Sequence, residues 1–161
     1  MSKSTITAQP GVPQVQVTRE FDAPRDLVFQ AWTDPDLVVQ WLGPRRLTMT
    51  IDRWDFRDGG SYRYLHTDAD GTAYGFRGVF HATTSMDGIV QTFEFEGYPG
   101  HVSLDTATFE DIGGGRTRVH LNSVFQSLAD RDGMIQSGME GGMNEGFDRL
   151  DELLGRLVPV A

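Results

Sequence analysis

The chain has 161 residues, enough for one well-buried core and too few for two comfortable ones. Hydrophobic residues make up 39% and charged residues 23% of it, a globular balance that excludes wholesale disorder. The net charge of −9 speaks against nucleic acid and anionic membrane as partners, and the lack of cysteine removes disulfides, thiolate nucleophiles and Cys-based metal sites.

Residues 1–13 are polar and are broken by Pro10, Gly11 and Pro13. They lack the basic start and apolar run of a leader, so they read as a flexible tail ahead of a single domain over 14–158. No stretch reaches the roughly 18 consecutive apolar residues that a bilayer span needs. Together these features predict a soluble, cytoplasmic protein.

Val15 to Phe21 alternates apolar and polar residues, the pattern of a half-buried strand. Asp22-Ala23-Pro24 ends it and opens a helix, with Asp22 as the expected cap and Pro24 in the first turn. Leu27, Val28, Ala31 and Trp32 share one helical face. Thr33-Asp34-Pro35 then starts a second short helix that runs to Trp41 and stops at Gly43-Pro44. From Leu47 to Phe125 strands and turns repeat, with glycine-bearing turns at Asp58-Gly59-Gly60, Asp70-Gly71, Asp87-Gly88 and Gly113-Gly114-Gly115. Nothing between those strands has a crossover helix, so they form an antiparallel meander. Ile135, Met139, Met143, Phe147, Leu150, Leu154 and Leu157 step by three or four, which predicts one long helix from about Asp130 to Leu157. Asp130 or Asp132 would cap it and Pro159 would end it. Gly138, Gly141, Gly142 and Gly146 each cost that helix about 1 kcal/mol against alanine, so a close approach or a bend is expected there.

Four sets of residues carry a family resemblance. They are Arg19-Glu20-Phe21-Asp22-Ala23-Pro24; Val28-Phe29 with Ala31-Trp32-Thr33-Asp34-Pro35; Trp41-x-Gly43-Pro44; and the later Asp58-Gly59-Gly60-x-Tyr62, Gly115-x-Thr117-x-Val119 and Gly138-Met139-x-x-Gly142. In that order and spacing they resemble the prokaryotic proteins related to the activator of the heat-shock-protein-90 ATPase, within the START/SRPBCC superfamily. The resemblance covers about residues 15–157. It implies an α+β helix-grip fold, in which a curved antiparallel sheet wraps a long C-terminal helix, with two short helices after the first strand. Function does not travel with a fold. The superfamily includes lipid carriers, hormone receptors and polyketide aromatase/cyclases.

Four histidines are the first candidates for chemistry: His66, His81, His101 and His120. None stands at metal-ligand spacing with another, there is no HExxH or Gly-x-Ser-x-Gly motif, and no glycine turn leads into a helix as a phosphate loop does. No catalytic residue, metal or cofactor is therefore assigned. Alternation puts His66 on the face of Tyr62 and Tyr64, while His81 and His101 read as surface residues. An aromatic wall for a small hydrophobic ligand is expected from Trp32, Trp41, Tyr62, Tyr64, His66, Tyr74, Phe76, Phe93, Phe95, Met139, Met143 and Phe147. In this wall His66 would orient a ligand without performing chemistry.

Three functions compete. The preferred one is non-catalytic binding of a small hydrophobic or aromatic molecule, as a carrier or sensor. The second is a polyketide aromatase/cyclase-like enzyme with His66 and Tyr62 or Tyr64 as its proton handlers. The third is a chaperone-modulating interaction module, marked by an exposed apolar patch. A chaperone is the less expected partner, because the eukaryotic co-chaperone engages its client with help from a separate N-terminal domain. A homodimer is compatible with every reading.

Overall fold

A computed structural model describes residues 4–158, apart from the side chains of residues 84 and 85. The elements run in the order β1 (Thr5–Thr7), β2 (Gln14–Phe21), α1 (Arg25–Thr33), α2 (Pro35–Val38), β3 (Thr48–Trp54), β4 (Ser61–Thr67), β5 (Ala73–Ser85), β6 (Gly88–Phe95), β7 (Val102–Gly113), β8 (Arg116–Phe125), α3 (Leu128–Gln136) and α4 (Met139–Leu157). The strands form one sheet, ordered β1-β2-β8-β7-β6-β5-β4-β3, with every neighbouring pair antiparallel. The expected meander is thus β3 to β8, and β2 joins it beside β8. Among the described residues no helix is long and apolar enough to cross a membrane.

Alternation decides which face is inside. Val15, Val17, Arg19 and Phe21 of β2 are buried while Gln16 is exposed. On β4 the buried residues are Tyr62, Tyr64 and His66. Against this inner face lies α4, through Phe147, Leu150, Leu153 and Leu154, each at most 3% exposed. Burying four such side chains is worth about 2 kcal/mol apiece in transfer free energy, before the entropy of ordering them.

Arg19 is a buried cation on that face. It is 3% exposed, and its guanidinium lies 4.7 Å from the Phe21 ring centroid and 5.6 Å from that of Phe147. Its Nη2 reaches Asp151 at 2.7 Å and Asp148 at 3.4 Å, so one buried cation clamps β2 to α4.

The helix ends show why the chain turns where it does. Trp41 Nε1 donates to the Ala31 carbonyl at 2.9 Å and Trp54 Nε1 to the Thr33 carbonyl at 2.8 Å. Two indoles thereby satisfy carbonyls that the end of α1 leaves without a helical partner. Asp34 caps α2 as expected, accepting from the Asp36 amide at 2.9 Å. The second helix is shorter than its pattern suggests, ending at Val38. Asp22 does not cap α1: it pairs with Arg116 at 2.7 Å instead, and Pro24 is the capping position.

Three further expectations are corrected. The long C-terminal helix is divided at Ser137-Gly138, where Gly138 takes φ 91°, a left-handed value open to glycine. Ser127, not Asp130 or Asp132, caps the first piece, accepting from the Asp130 amide at 3.1 Å. Ile135 and Leu157, assigned to the apolar stripe, are exposed. Gly146 has a different reason to be glycine. A Cβ there would stand 3.1 Å from the Trp41 carbonyl oxygen and 3.2 Å from the Gly43 nitrogen, which marks the closest approach of α4 to the turn after α2. Nothing in the structure explains Gly141, and Pro159 lies outside the described residues.

The segment read as a flexible tail also does structural work. Residues 5–7 pair with β2 as β1, and Ile6 and Ala8 pack on the core. Buried Arg131 of α3 donates to the carbonyls of Gln9 and Val12 at 2.6 and 2.7 Å, so the N-terminal segment and α3 hold each other.

Candidate functional site

The expected aromatic wall divides into three groups. Trp32, Trp41 and Phe147 belong to the main core with Phe21, their ring centroids 4.7–6.3 Å apart, and Met139 and Met143 pack against the same cluster. Tyr62 and Tyr64 form a second buried cluster with Phe80 and Met49. Only Tyr74, Phe76, Phe93 and Phe95 line a cavity. The single internal space expected for all of them is thus filled at one end by Trp32, Trp41 and Phe147 and open at the other.

That cavity measures about 680 Å³, within the range of small-molecule sites. Its floor is the inner face of β5 to β8, through Tyr74 and Phe76, Phe93 and Phe95, Ser103 and Phe125. Its roof is α3, through Ala129, Gly133 and Met134. Arg46 and Leu47 close one side, and Tyr98 and His101 of the loop between β6 and β7 close another. Phe76 lies between Tyr64 and Phe93 with ring centroids 5.2 and 5.6 Å apart and interplanar angles of 22° and 20°, so three cross-strand rings stack face to face like plates beside the cavity floor.

His66 stands beside this stack but does not line the cavity. Its ring packs 5.2 Å from Tyr64 and 5.3 Å from Phe76, and it fills the space a Cβ on Gly43 would need, 2.7 Å from His66 Cε1. Nε2 is buried without a hydrogen-bond partner. Burial pushes the imidazole below its usual range; the Leu42 main chain opposes this and the Arg149 charge adds to it. A neutral ring packed on a glycine turn accounts for the position.

Sequence reasoning missed two groups. Asp105 is the first. Ser103, Asp105, Ala107 and Phe109 alternate on the inner face of β7, and in register Asp105 faces Gln91 on one side and Ser123 on the other. Ser103 Oγ donates to Asp105 Oδ1 at 2.9 Å. Burial holds this carboxyl above the ordinary aspartate range, while the Ser103 and Ser123 hydroxyls pull the other way. Tyr64 is likewise held up, by burial first and by the Asp105 charge second. An acid on the strand face that carries Ala107 and Phe109 was a legible signal.

The raised carboxyl has a measurable consequence. The native state keeps the proton on Asp105 at pH values where the unfolded chain has released it, so stability is lost as pH rises through that range. Asp105→Asn keeps the shape and the acceptor for Ser103 without a charge to bury. It is expected to be more stable than wild type at pH 8, with the gain vanishing toward pH 4. Urea titrations at both values test this, and a gain equal at both would refute it.

The second missed group is a pair at the cavity mouth. His101, 40% exposed in its side chain, places Nδ1 2.8 Å from Asp130 Oδ1, and Tyr98 stacks on its ring at a centroid distance of 3.8 Å. The partners lie 29 residues apart in the chain, so no local motif announces them. His81 is exposed, as expected, and His120 pairs with Glu110 at 2.9 Å on the outer face. Among the described residues no cluster of three or more His, Cys, Asp or Glu is placed to hold a metal ion.

Known proteins of this shape are numerous. A protein from Arthrobacter aurescens shares 27% identity and a TM-score of 0.86, over 94% of this chain and 91% of that one. A Rhodobacter sphaeroides protein at 23% identity has a TM-score of 0.87, over 96% and 99%. The AHSA1 protein of Silicibacter pomeroyi, at 20% identity and TM-score 0.74 over 90% and 99%, shares the fold. No curated protein matches the chain. The family model described as "Activator of Hsp90 ATPase homolog 1-like protein" matches residues 22–155, and with the helix-grip architecture now in view the chain belongs to that family.

Proposed function

We propose that this domain binds a small hydrophobic or aromatic molecule, as a carrier or sensor. The observation that supports the reading is the cavity of about 680 Å³, lined by Tyr74, Phe76, Phe93 and Phe95. An aromatic ligand packed against these rings makes the offset or edge-to-face contacts that aromatic pairs favour by about 1 kcal/mol beyond area burial. An aromatase/cyclase-like activity through His66 draws no support from the geometry, because His66 does not line the cavity. The interaction-module reading rests on little more than Leu104 and Val124, exposed neighbours paired across β7 and β8.

Filling the cavity tests the reading. Gly133 of α3 lines it, and a Cβ there would meet nothing within 4 Å. Gly133→Leu places an apolar side chain in the space and improves helix propensity, so stability is expected to rise by up to about 1 kcal/mol. Binding of 2-methoxynaphthalene, followed by its fluorescence, is expected to be saturable in wild type and at least tenfold weaker in the variant. Native mass spectrometry of freshly purified protein is expected to show a small-molecule adduct that the variant loses. Equal binding by both proteins, or none by wild type, would remove the proposal.

A further inference from the structure

The mouth of the cavity has a polarity that the apolar floor does not supply. Asp130 sits in the first turn of α3, where the helix dipole favours negative charge, and the Ser127 hydroxyl accepts from its backbone amide at 3.1 Å. Its side chain is 15% exposed and receives His101 Nδ1 at 2.8 Å. A neutral imidazole has one N–H and one lone pair. Since a carboxylate only accepts, the proton must be on Nδ1, which leaves Nε2 with the lone pair. Tyr98 covers one face of the ring at 3.8 Å and an interplanar angle of 17°, so the ring is held from two directions. Among the described residues Nε2 has no hydrogen-bond partner, and His101 lines the cavity. Of the other polar cavity residues, Ser103 and Tyr74 already donate their hydroxyl protons to Asp105 at 2.9 Å and Asp68 at 3.5 Å, and Arg46 can only donate. Nε2 of neutral His101 can only accept.

We propose that His101, oriented by Asp130, is the specificity-determining residue of this cavity and selects aromatic ligands that carry a hydroxyl donor, such as phenols and naphthols. The proposal rests on the ligand-binding reading and gives it a chemical class. Asp130 is the positioning residue: it fixes the tautomer and does not touch the ligand's hydroxyl.

The test compares 2-naphthol with 2-methoxynaphthalene, which has the same rings and no O–H. The measured quantity is the ratio of their affinities, which cancels general losses of packing. In His101→Phe, which keeps the stack on Tyr98 and removes the acceptor, the ratio is expected to move about fivefold against the naphthol. Asp130→Asn should move it the same way, because an amide can donate to Nδ1 and send the ring proton to Nε2. If both naphthalenes bind and the ratio is the same in all three proteins, the selectivity proposal is overturned while the cavity reading stands. If neither binds wild type, the cavity reading falls and takes this one with it.

Discussion

Replacing Phe147 with alanine is expected to destabilise the protein by about 4 kcal/mol, the largest loss from any one side chain discussed above. Phe147 is 3% exposed, and its ring packs on Phe21 at 5.7 Å, Trp32 at 6.0 Å and Trp41 at 6.3 Å, with the Arg19 guanidinium 5.6 Å away. Those neighbours come from β2, α1 and the segment after α2, so they cannot collapse together into the space left behind. The melting temperature should fall by about 10 °C, since each kcal/mol moves a domain of this size by roughly 2–4 °C. Phe95→Ala is the informative comparison. That ring borders the cavity and is only half-buried, so its removal is expected to cost about 1 kcal/mol while weakening binding of 2-methoxynaphthalene. Equal losses in urea midpoints for the two variants would contradict the division between filled core and open cavity.

The second large effect is expected at Gly78→Ala. Gly78 pairs with Tyr62 across β4 and β5, and the Tyr62 ring lies over it to donate its hydroxyl to the Thr92 carbonyl of β6 at 2.5 Å. A Cβ on Gly78 would come within 1.9 Å of the Thr92 carbonyl oxygen and 2.6 Å of the Tyr62 hydroxyl. The obstacle includes backbone, so β5 and β6 must move apart and the Tyr62 bond must break. A cost of about 3 kcal/mol follows, the upper end for overpacking. The comparison is Gly88→Ala, where the added Cβ meets only Thr108 Cγ2 at 3.9 Å and the change should be close to neutral. Thermal melts of the two variants check the pair, and a Gly78→Ala protein within 1 kcal/mol of wild type would show that the sheet yields more readily than its contacts imply.

The meander was readable because its signals are local. Alternation in Tyr62, Tyr64 and His66 named the inner face of β4, and the glycine turns separated the strands. The break between α3 and α4 was hidden because Ile135, Met139 and Met143 keep helical spacing across it. Only the backbone angle of Gly138 reveals the division. β1 escaped notice because three residues are too few for a pattern, and its stability comes from the edge of β2 and from Arg131. The site was the least legible part. Alternation states which face a side chain takes, but not where along a curved sheet the helices press close and where they stand off. Trp41 and Phe93 were both expected in the wall, yet α4 fills the space at the first and α3 leaves room at the second.

The position of β2 in the sheet sets an order of events for the newly made chain. Strands β3 to β8 can pair with each neighbour as it appears, through short turns. β2 cannot, because its partner is β8: Val17 must find Leu121, and Phe21 must find Thr117, with about a hundred residues in between. Closing so long a loop must be repaid by contacts that exist only once both strands meet, and such non-local pairing places folding in the millisecond-to-second range. On a ribosome adding roughly 5–20 residues per second, Val15, Val17 and Phe21 therefore wait several seconds after they are made for their β8 partners. During that interval β2 has at most the three-residue β1 beside it, and the seam between β2 and β8 closes only when the last strand arrives.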